Sequence, residues 1–337
     1  MKRSAVLLLA CAALATMPEV SGQQPVALVP LEPVAPMVVD GVEILKVQGQ
    51  VYMLTGAGGN VTVQIGDEGV LVADSGAPGQ SAKVLAAIQR LSPKAIRYLV
   101  NINGDADHVA GNEAIMKSSS GFRGPRPGQV GGGNPAGQNV GVMSIAHENG
   151  YNRMTAPSPG GPGLTGDALP TSTFFTPRKD IFSNGEPVEL RHQPAAHSDG
   201  DIFVYFRKSD VVSVGDVFIP HSYPVIDTAR GGTINGVVDA LNTILEITVP
   251  ERNQMGGTRV IPGHGRISNE ADVVDYRDMV TIVRDRVQEM VKKGMTLAQV
   301  KAARPSFEYD GYYGAASGPA STDGFVEAVY RSLGGKS

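Results

Sequence analysis

The chain of 337 residues has one cysteine, Cys11, and that residue lies inside a stretch that reads as a cleavable export signal. Lys2 and Arg3 precede an apolar run from Ala5 to about Met17, and small residues follow at Ser21 and Gly22. The run is too short to cross a bilayer, so no stable membrane span is expected after removal of residues 1–22. An exported chain would then carry no thiol, which excludes disulfides and thiolate metal ligands. Leu8, Leu9 and Ala10 before Cys11 also permit a lipoprotein reading, but the apolar segment ahead of that cysteine is short for one. A periplasmic or secreted protein is expected.

Clusters of basic residues are also missing. With 29 basic and 33 acidic residues, a net charge of −4 and no long Lys/Arg run, the composition argues against nucleic acid or an anionic membrane as partner. A small-molecule substrate fits better, and nothing in the composition fixes an oligomeric state. The 42% hydrophobic and 18% charged content suits a globular core.

The apolar patterning predicts strands at Val61–Ile65 and Val70–Ala73, a helix over Ser81–Leu91, and a buried strand at Ile96–Val100. Val84, Leu85, Ile88 and Leu91 share one face of that helix, and Ser92-Pro93 ends it. From about Ser118 to Pro170 the chain is rich in Gly, Pro, Ser and Asn, which predicts an inserted loop with one helical stretch near Val142–Met154. Strands are expected again at Val188–Leu190, Ile202–Phe206, Val211–Val214 and Arg259–Ile261. A long helix is expected at about Asn269–Lys293, with shorter helices at Leu297–Ala303 and Phe325–Leu333. Residues 23–42 read as a lead-in and residues 43–337 as the folded domain, with helices over 269–333. Two blocks of mixed strands flanked by helices imply sheet packed on sheet with helices outside, an α/β sandwich.

The chemistry lies in the loops between these elements. Asn103-Gly104-Asp105-Ala106-Asp107-His108 closely follows a strand, Ala196-His197 precedes one, and Gly215-Asp216 and Pro262-Gly263-His264-Gly265 each follow one. Carboxylates two residues apart beside a histidine repel one another unless a cation or solvent compensates them. Three histidines with carboxylates match the nitrogen and oxygen ligands preferred by Zn²⁺, Mn²⁺ or Fe²⁺. Asp201 reads as a structural acid at a strand start, and His147, His192 and His221 as ordinary histidines.

Together with Gly58-Gly59-Asn60, Gly69 to Asp74 and His108-Val109-Ala110-Gly111-Asn112, and in this order, these motifs resemble those of the metallo-beta-lactamase superfamily, from about Glu43 to Leu333. The resemblance implies an αββα sandwich with a metal-dependent hydrolytic centre at one edge. Where the family has His-x-His-x-Asp-His, this chain has Asn103 and Asp105 in place of the two histidines that serve a first metal. The second metal position is complete, with Asp107, His108 and His264 as ligands and Asp216 as a bridging carboxylate. The first retains His197, with Asp105 as a carboxylate that could still ligate. Asn103, a neutral amide, is expected to hydrogen-bond behind the ligands, and Asp74 to orient a ligand or brace the loop.

The expected activity is that of an exported hydrolase in which metal-bound hydroxide attacks a beta-lactam, lactone, ester or thioester carbonyl, with Asp107 or Asp216 orienting it. One or two Zn ions are expected, and the carboxylate-rich first half favours a single tightly held ion or a harder one such as Mn²⁺ or Fe²⁺. The alternative is a binding or structural protein that has lost hydrolysis along with the first-site histidines.

Overall fold

The computed structural model describes residues 37–119, 141–157 and 163–335. The expected export signal with Cys11, and much of the Gly/Pro-rich segment, lie outside the described residues. Among the described residues no helix is long and apolar enough to cross a membrane.

Thirteen strands form two sheets among the described residues. In the first, β1 (Met37–Val39), β2 (Val42–Gln48), β3 (Val51–Thr55), β4 (Val61–Gly66), β5 (Gly69–Ala73), β6 (Ile96–Val100), β7 (Met143–His147) and β8 (Ser172–Phe174) lie side by side in chain order. Pairing is antiparallel from β1 to β5 and parallel from β5 to β8. The second sheet is built from β9 (Arg178–Ser183), β10 (Glu186–Gln193), β11 (Asp201–Phe206), β12 (Val211–Gly215) and β13 (Arg259–Pro262), again neighbours in chain order. Its strands pair antiparallel except β12 with β13.

The helices are α1 (Ser81–Leu91), α2 (Ala106–Val109), α3 (Asn112–Ser118), α4 (Glu148–Thr155), α5 (Ile234–Ile247), α6 (Glu270–Lys292), α7 (Leu297–Ala302), α8 (Asp310–Tyr313) and α9 (Thr322–Ser332). Alternation along the central strands explains the layering. In β5, Leu71 and Ala73 join the core between the sheets, whereas Val70 and Val72 pack with Val84, Ala87 and Ile88 of α1. In β11, Ile202, Val204 and Phe206 face the other sheet, whereas Phe203 packs with Leu241 of α5 and Met279 and Val283 of α6. Strands covered on both faces have to be apolar throughout, as β5 is. Burying each large apolar side chain contributes roughly 1.5–3 kcal/mol. The result is the expected αββα sandwich.

Several elements differ from the sequence reading. Met143–His147 is not helical but is the strand β7, paired parallel to β6, and the helix begins only at Glu148, where the His147 ring accepts the Asn149 N–H. A short run of mostly buried residues there gains more from ladder bonds in the sheet than from a local helix. The first sheet starts at Met37, within the expected lead-in, because β1 pairs with β2. Strands β3, β8 and β9 and the helix α5 are also additional to the sequence reading.

The pairing directions place the site. β5 and β6 are parallel, so Asp74 and the Asn103–His108 loop leave the first sheet at one edge. β12 and β13 are parallel, so Asp216 and His264 leave the second sheet together. β11 runs antiparallel to β12, which brings its start, and His197 before it, to that same edge. Asn60 ties the sheets there: its backbone N–H donates to Gly263 O at 2.7 Å, and its side-chain amide donates to Pro262 O and Gly265 O, both at 3.0 Å.

Candidate metal centre

The residues singled out in the sequence meet at this edge in two adjacent groups: Asp107, His108 and His264, and Asp105, His197 and Asp216. Within each group the candidate ligand atoms lie within 4.8 Å of one another.

His108 is fully buried and its ring orientation is fixed from behind. Its Nδ1 lies 2.7 Å from Asp74 Oδ2, and Asp74 Oδ1 accepts the Ile102 N–H at 2.8 Å. Asp74 occupies the left-handed region at φ 65°, which costs a non-glycine residue of order 1–3 kcal/mol and persists only where surrounding bonds enforce it. The other nitrogen, His108 Nε2, has no hydrogen-bond partner, although Asp216 Oδ2 is only 3.0 Å away. The two groups attract each other as an ion pair. Asp216 Oδ1, also buried, has no partner either, and it lies 3.7 Å from His264 Nε2. His264 Nε2 is 2.9 Å from Asp107 Oδ2, which is 4.0 Å from His108 Nε2.

Donors bound tetrahedrally at 2.0–2.2 Å from an ion stand roughly 3.4 Å from one another. Separations of 2.9–4.0 Å, an unbonded buried carboxylate oxygen, and a carboxylate behind the histidine therefore fit a divalent ion held by Asp107, His108, His264 and Asp216. Close packing preserves this spacing. A Cβ on Gly263 would lie 2.1 Å from Asp216 Oδ1, and one on Gly59 would lie 3.3 Å from His108 Nε2.

The second group is wired differently. Asp105 is bonded through both oxygens: its Oδ2 is 2.9 Å from His197 Nε2, and its Oδ1 accepts a hydrogen bond from Arg230 Nη1. His197 Nδ1 donates to Val225 O at 2.9 Å. Asn103 bridges the groups, its Oδ1 accepting the Asp105 N–H at 2.9 Å and its Nδ2 donating to Asp216 Oδ2 at 3.1 Å. Arg230, 125 residues from Asp105 in sequence, is absent from the sequence-derived set. Its one local signal is Asp227 three residues earlier, which caps the turn Thr228–Arg230.

Protonation follows from these contacts. Burial works against ionising Asp105, yet bonds and charges from His197 and Arg230 bring its pKa down to about 2. Burial likewise opposes a charged His197, but Asp105, Asp201 and Asp216 push it up to about 10. The hydrogen bond from His264 lowers Asp107 and raises His264 in turn. Burial opposes ionisation of Asp216, yet the charges of His108, His197 and His264 hold it well below the usual carboxylate range. Asp201, buried beside the His197 loop, rises to about 7 through desolvation, and its carboxylate accepts the Ser198 N–H at 2.6 Å, a bracing role.

His147 and His192 stack on each other with ring centroids 3.5 Å apart, and His221 pairs with the Tyr312 hydroxyl at 2.9 Å. None of the three belongs to either ligand group.

Known structures share the fold that carries this site. The sec-alkylsulfatase Pisa1 from Pseudomonas sp. superposes with a TM-score of 0.58 at 15% identity, covering 86% of this chain and 49% of that one. The chain thus spans about half the length of the alkylsulfatase structures it matches. A metallo-beta-lactamase from Pontibacter korlensis gives 0.53 at 14% identity, covering 71% of this chain and 99% of that one. The B3 metallo-beta-lactamase BLEG-1 gives 0.51 at 20%, covering 67% and 96%. These likenesses concern the fold. No curated protein matches the sequence. The sequence profile of the metallo-beta-lactamase superfamily matches residues 54–269, a span that runs from β3 to the loop after β13 and contains every candidate ligand. With that span and an αββα sandwich carrying the candidate ligands on one edge, the chain belongs to the metallo-beta-lactamase superfamily.

Proposed function

We propose that the protein is a metal-dependent hydrolase of small carbonyl compounds, with one divalent ion held by Asp107, His108, His264 and Asp216. The observation that carries this reading is the convergence of Asp107, His108, His264 and Asp216 on one point, where His108 Nε2 stands 3.0 Å from Asp216 Oδ2 and the buried Asp216 Oδ1 makes no hydrogen bond. Leaving a buried acceptor such as Asp216 Oδ1 unbonded costs roughly 1–3 kcal/mol, a cost that ligation removes. A bound ion of this class supplies Lewis acidity and makes water a nucleophile near neutral pH.

The chain's own residues divide the remaining work. Asp107 and His264 have side chains 38% and 37% exposed, so they stand on the side a substrate would approach. The ionised Asp107 carboxylate, whose Oδ2 already faces His264, would accept a hydrogen bond from an attacking water on that side. Asp216, nearly buried, contributes fixed negative charge, and Asp74 keeps the His108 ring in place. Beta-lactam, lactone, ester and thioester substrates all suit this chemistry. A sulfate ester joins the panel because Pisa1 is described as a sec-alkylsulfatase. Export to the periplasm or medium is part of the proposal and rests on the pattern of residues 1–22.

The test is to measure the metal content of the processed protein, then assay chromogenic substrates of these classes with Zn²⁺, Mn²⁺ and Fe²⁺. Metal-dependent turnover that disappears in Asp107→Ala and His264→Ala supports the hydrolase. Silence with every metal and substrate favours the non-catalytic binding protein.

A further inference from the structure

We infer that Arg230 takes the place of a first metal ion: its guanidinium, rather than a divalent cation, holds Asp105 and, through it, His197, leaving a single metal position in the site. The inference rests on the hydrolase reading and fixes how many ions that site takes.

Proximity alone would allow an ion among Asp105, His197 and Asp216. The bonding already present works against it. A histidine 2.9 Å from Asp105 Oδ2 is no obstacle by itself, since His264 stands equally near Asp107 Oδ2; what differs is that Asp105 Oδ1 also accepts a hydrogen bond from Arg230 Nη1. The guanidinium is itself held at several points. Arg230 Nε donates to Asp227 Oδ2 at 2.6 Å, and its backbone N–H donates to Asp227 Oδ1 at 2.9 Å. Its carbonyl accepts the Asp199 N–H at 2.9 Å, while Asp227 N–H donates to His197 O at 2.9 Å. The turn that carries Arg230 is therefore packed on the loop that carries His197, and the side chain is not free to swing aside.

Asn103 offers an ion no ligand on the other side. Its Oδ1 must be the atom facing the Asp105 N–H, since only an oxygen can accept there, so its NH₂ faces Asp216. Where a histidine would offer a lone pair, this residue offers a proton.

A guanidinium suits the role. It stays protonated at all working pH values, and its planar fork can bridge two carboxylates, here Asp105 and Asp227. It supplies the positive charge that a carboxylate-rich half-site needs, and it repels a dication placed against the same carboxylate. Three changes agree with one another: histidine positions taken by Asn103 and Asp105, and a fixed cation bonded to the second of these.

Calorimetric titration of the chelator-treated full protein with Zn²⁺ tests this. The parent should bind one tight equivalent. Arg230→Met should gain a second, which disappears when His197→Ala is added. A merely structural role for Arg230 predicts no gain. Two tight equivalents in the parent, or only one in folded Arg230→Met, would overturn the inference and leave the hydrolase reading standing. Should Arg230→Met not fold, Asp105→Asn decides: an affinity for the single equivalent within about threefold of the parent supports the inference, and a loss of tenfold or more shows that Asp105 ligates the ion and overturns it. No bound equivalent in the parent would instead sink the hydrolase reading itself.

Discussion

His108 Nδ1 and Asp74 Oδ2 face each other at 2.7 Å in a dry part of the protein, with side chains 0% and 2% exposed. The bond sets which ring nitrogen points at the metal position. Replacing Asp74 by Asn keeps the volume but weakens that hold, and metal affinity should drop about 10–100-fold with a smaller effect on folding. Asp74→Ala leaves the Ile102 N–H and His108 Nδ1 unpaired as well, and should cost roughly 2–4 kcal/mol of folding free energy. Chelator competition and urea denaturation measure the two effects. Unchanged metal affinity in both variants would show that the bond is not a positioning device.

Asp107 and His264 are partly exposed, so truncating either should change stability by less than about 1 kcal/mol. Metal affinity should nonetheless fall by more than the roughly 100-fold expected for a residue behind the ligands, and turnover should fall with it. His221→Ala, which removes the hydrogen bond and ring contact to Tyr312, should leave both within about twofold. An equal loss in His221→Ala would point to general loosening of this edge instead.

The Asp105–His197 pair gives the metal-free protein a stability optimum. Asp105 has a pKa of about 2, below its ordinary value of 3.8, so its contribution is full above about pH 4 and is lost as pH falls towards 2, with an upper value of about 2 kcal/mol. His197 is shifted the opposite way, from 6.5 to about 10. Its contribution is complete below about pH 6.5 and is lost as pH rises towards 10. Urea midpoints of the chelator-treated protein should therefore fall on both sides, and Asp105→Asn should flatten both slopes. Parallel profiles for parent and variant would contradict the pairing.

Gly263→Ala should damage the site without touching a ligand. The new methyl would meet Asp216 Oδ1 at 2.1 Å and Gly215 C at 2.7 Å, so either the Asp216 carboxylate or the backbone after β12 must move. Overpacking of this kind costs about 1–3 kcal/mol, and metal affinity should decline with it. Thermal denaturation with and without Zn²⁺ reads both, and a variant with parental midpoint and affinity would refute the close approach.

What was legible in the sequence follows physical lines. The helix Ser81–Leu91 and the strand Ile96–Val100 are read with the boundaries the structure gives, because a one-faced apolar pattern and a clear Ser-Pro stop leave little choice. The region around Val142 is misread because a short apolar run fits strand and helix equally, and its strand partner β6 lies some forty residues earlier, beyond the reach of local pattern. Helix α5 is a different case: Ile234, Val237, Val238, Leu241 and Ile244 are all buried at helical spacing, a pattern present in the sequence itself.

In the site, the eight residues read from the motifs converge on one edge, because each sits next to a strand end and the strand directions carry it there. Arg230 could not be found that way. It sits on a Gly-flanked turn with no strand beside it, and its partner Asp105 is joined to it only through the folded arrangement.

The donors of the proposed metal position are divided evenly between the halves of the sandwich: Asp107 and His108 follow β6 of the larger sheet, while Asp216 and His264 follow β12 and β13 of the smaller. Neither sheet alone has enough ligands to hold an ion, so an ion bound there would act as a clasp across the seam. At a free concentration one hundred times its dissociation constant it would add about 2.7 kcal/mol to folding, acting first on motions that part the sheets. The Asn60 N–H, bonded across that seam to Gly263 O, would then exchange with solvent more slowly in the loaded protein, making this amide a local gauge of whether the clasp is closed.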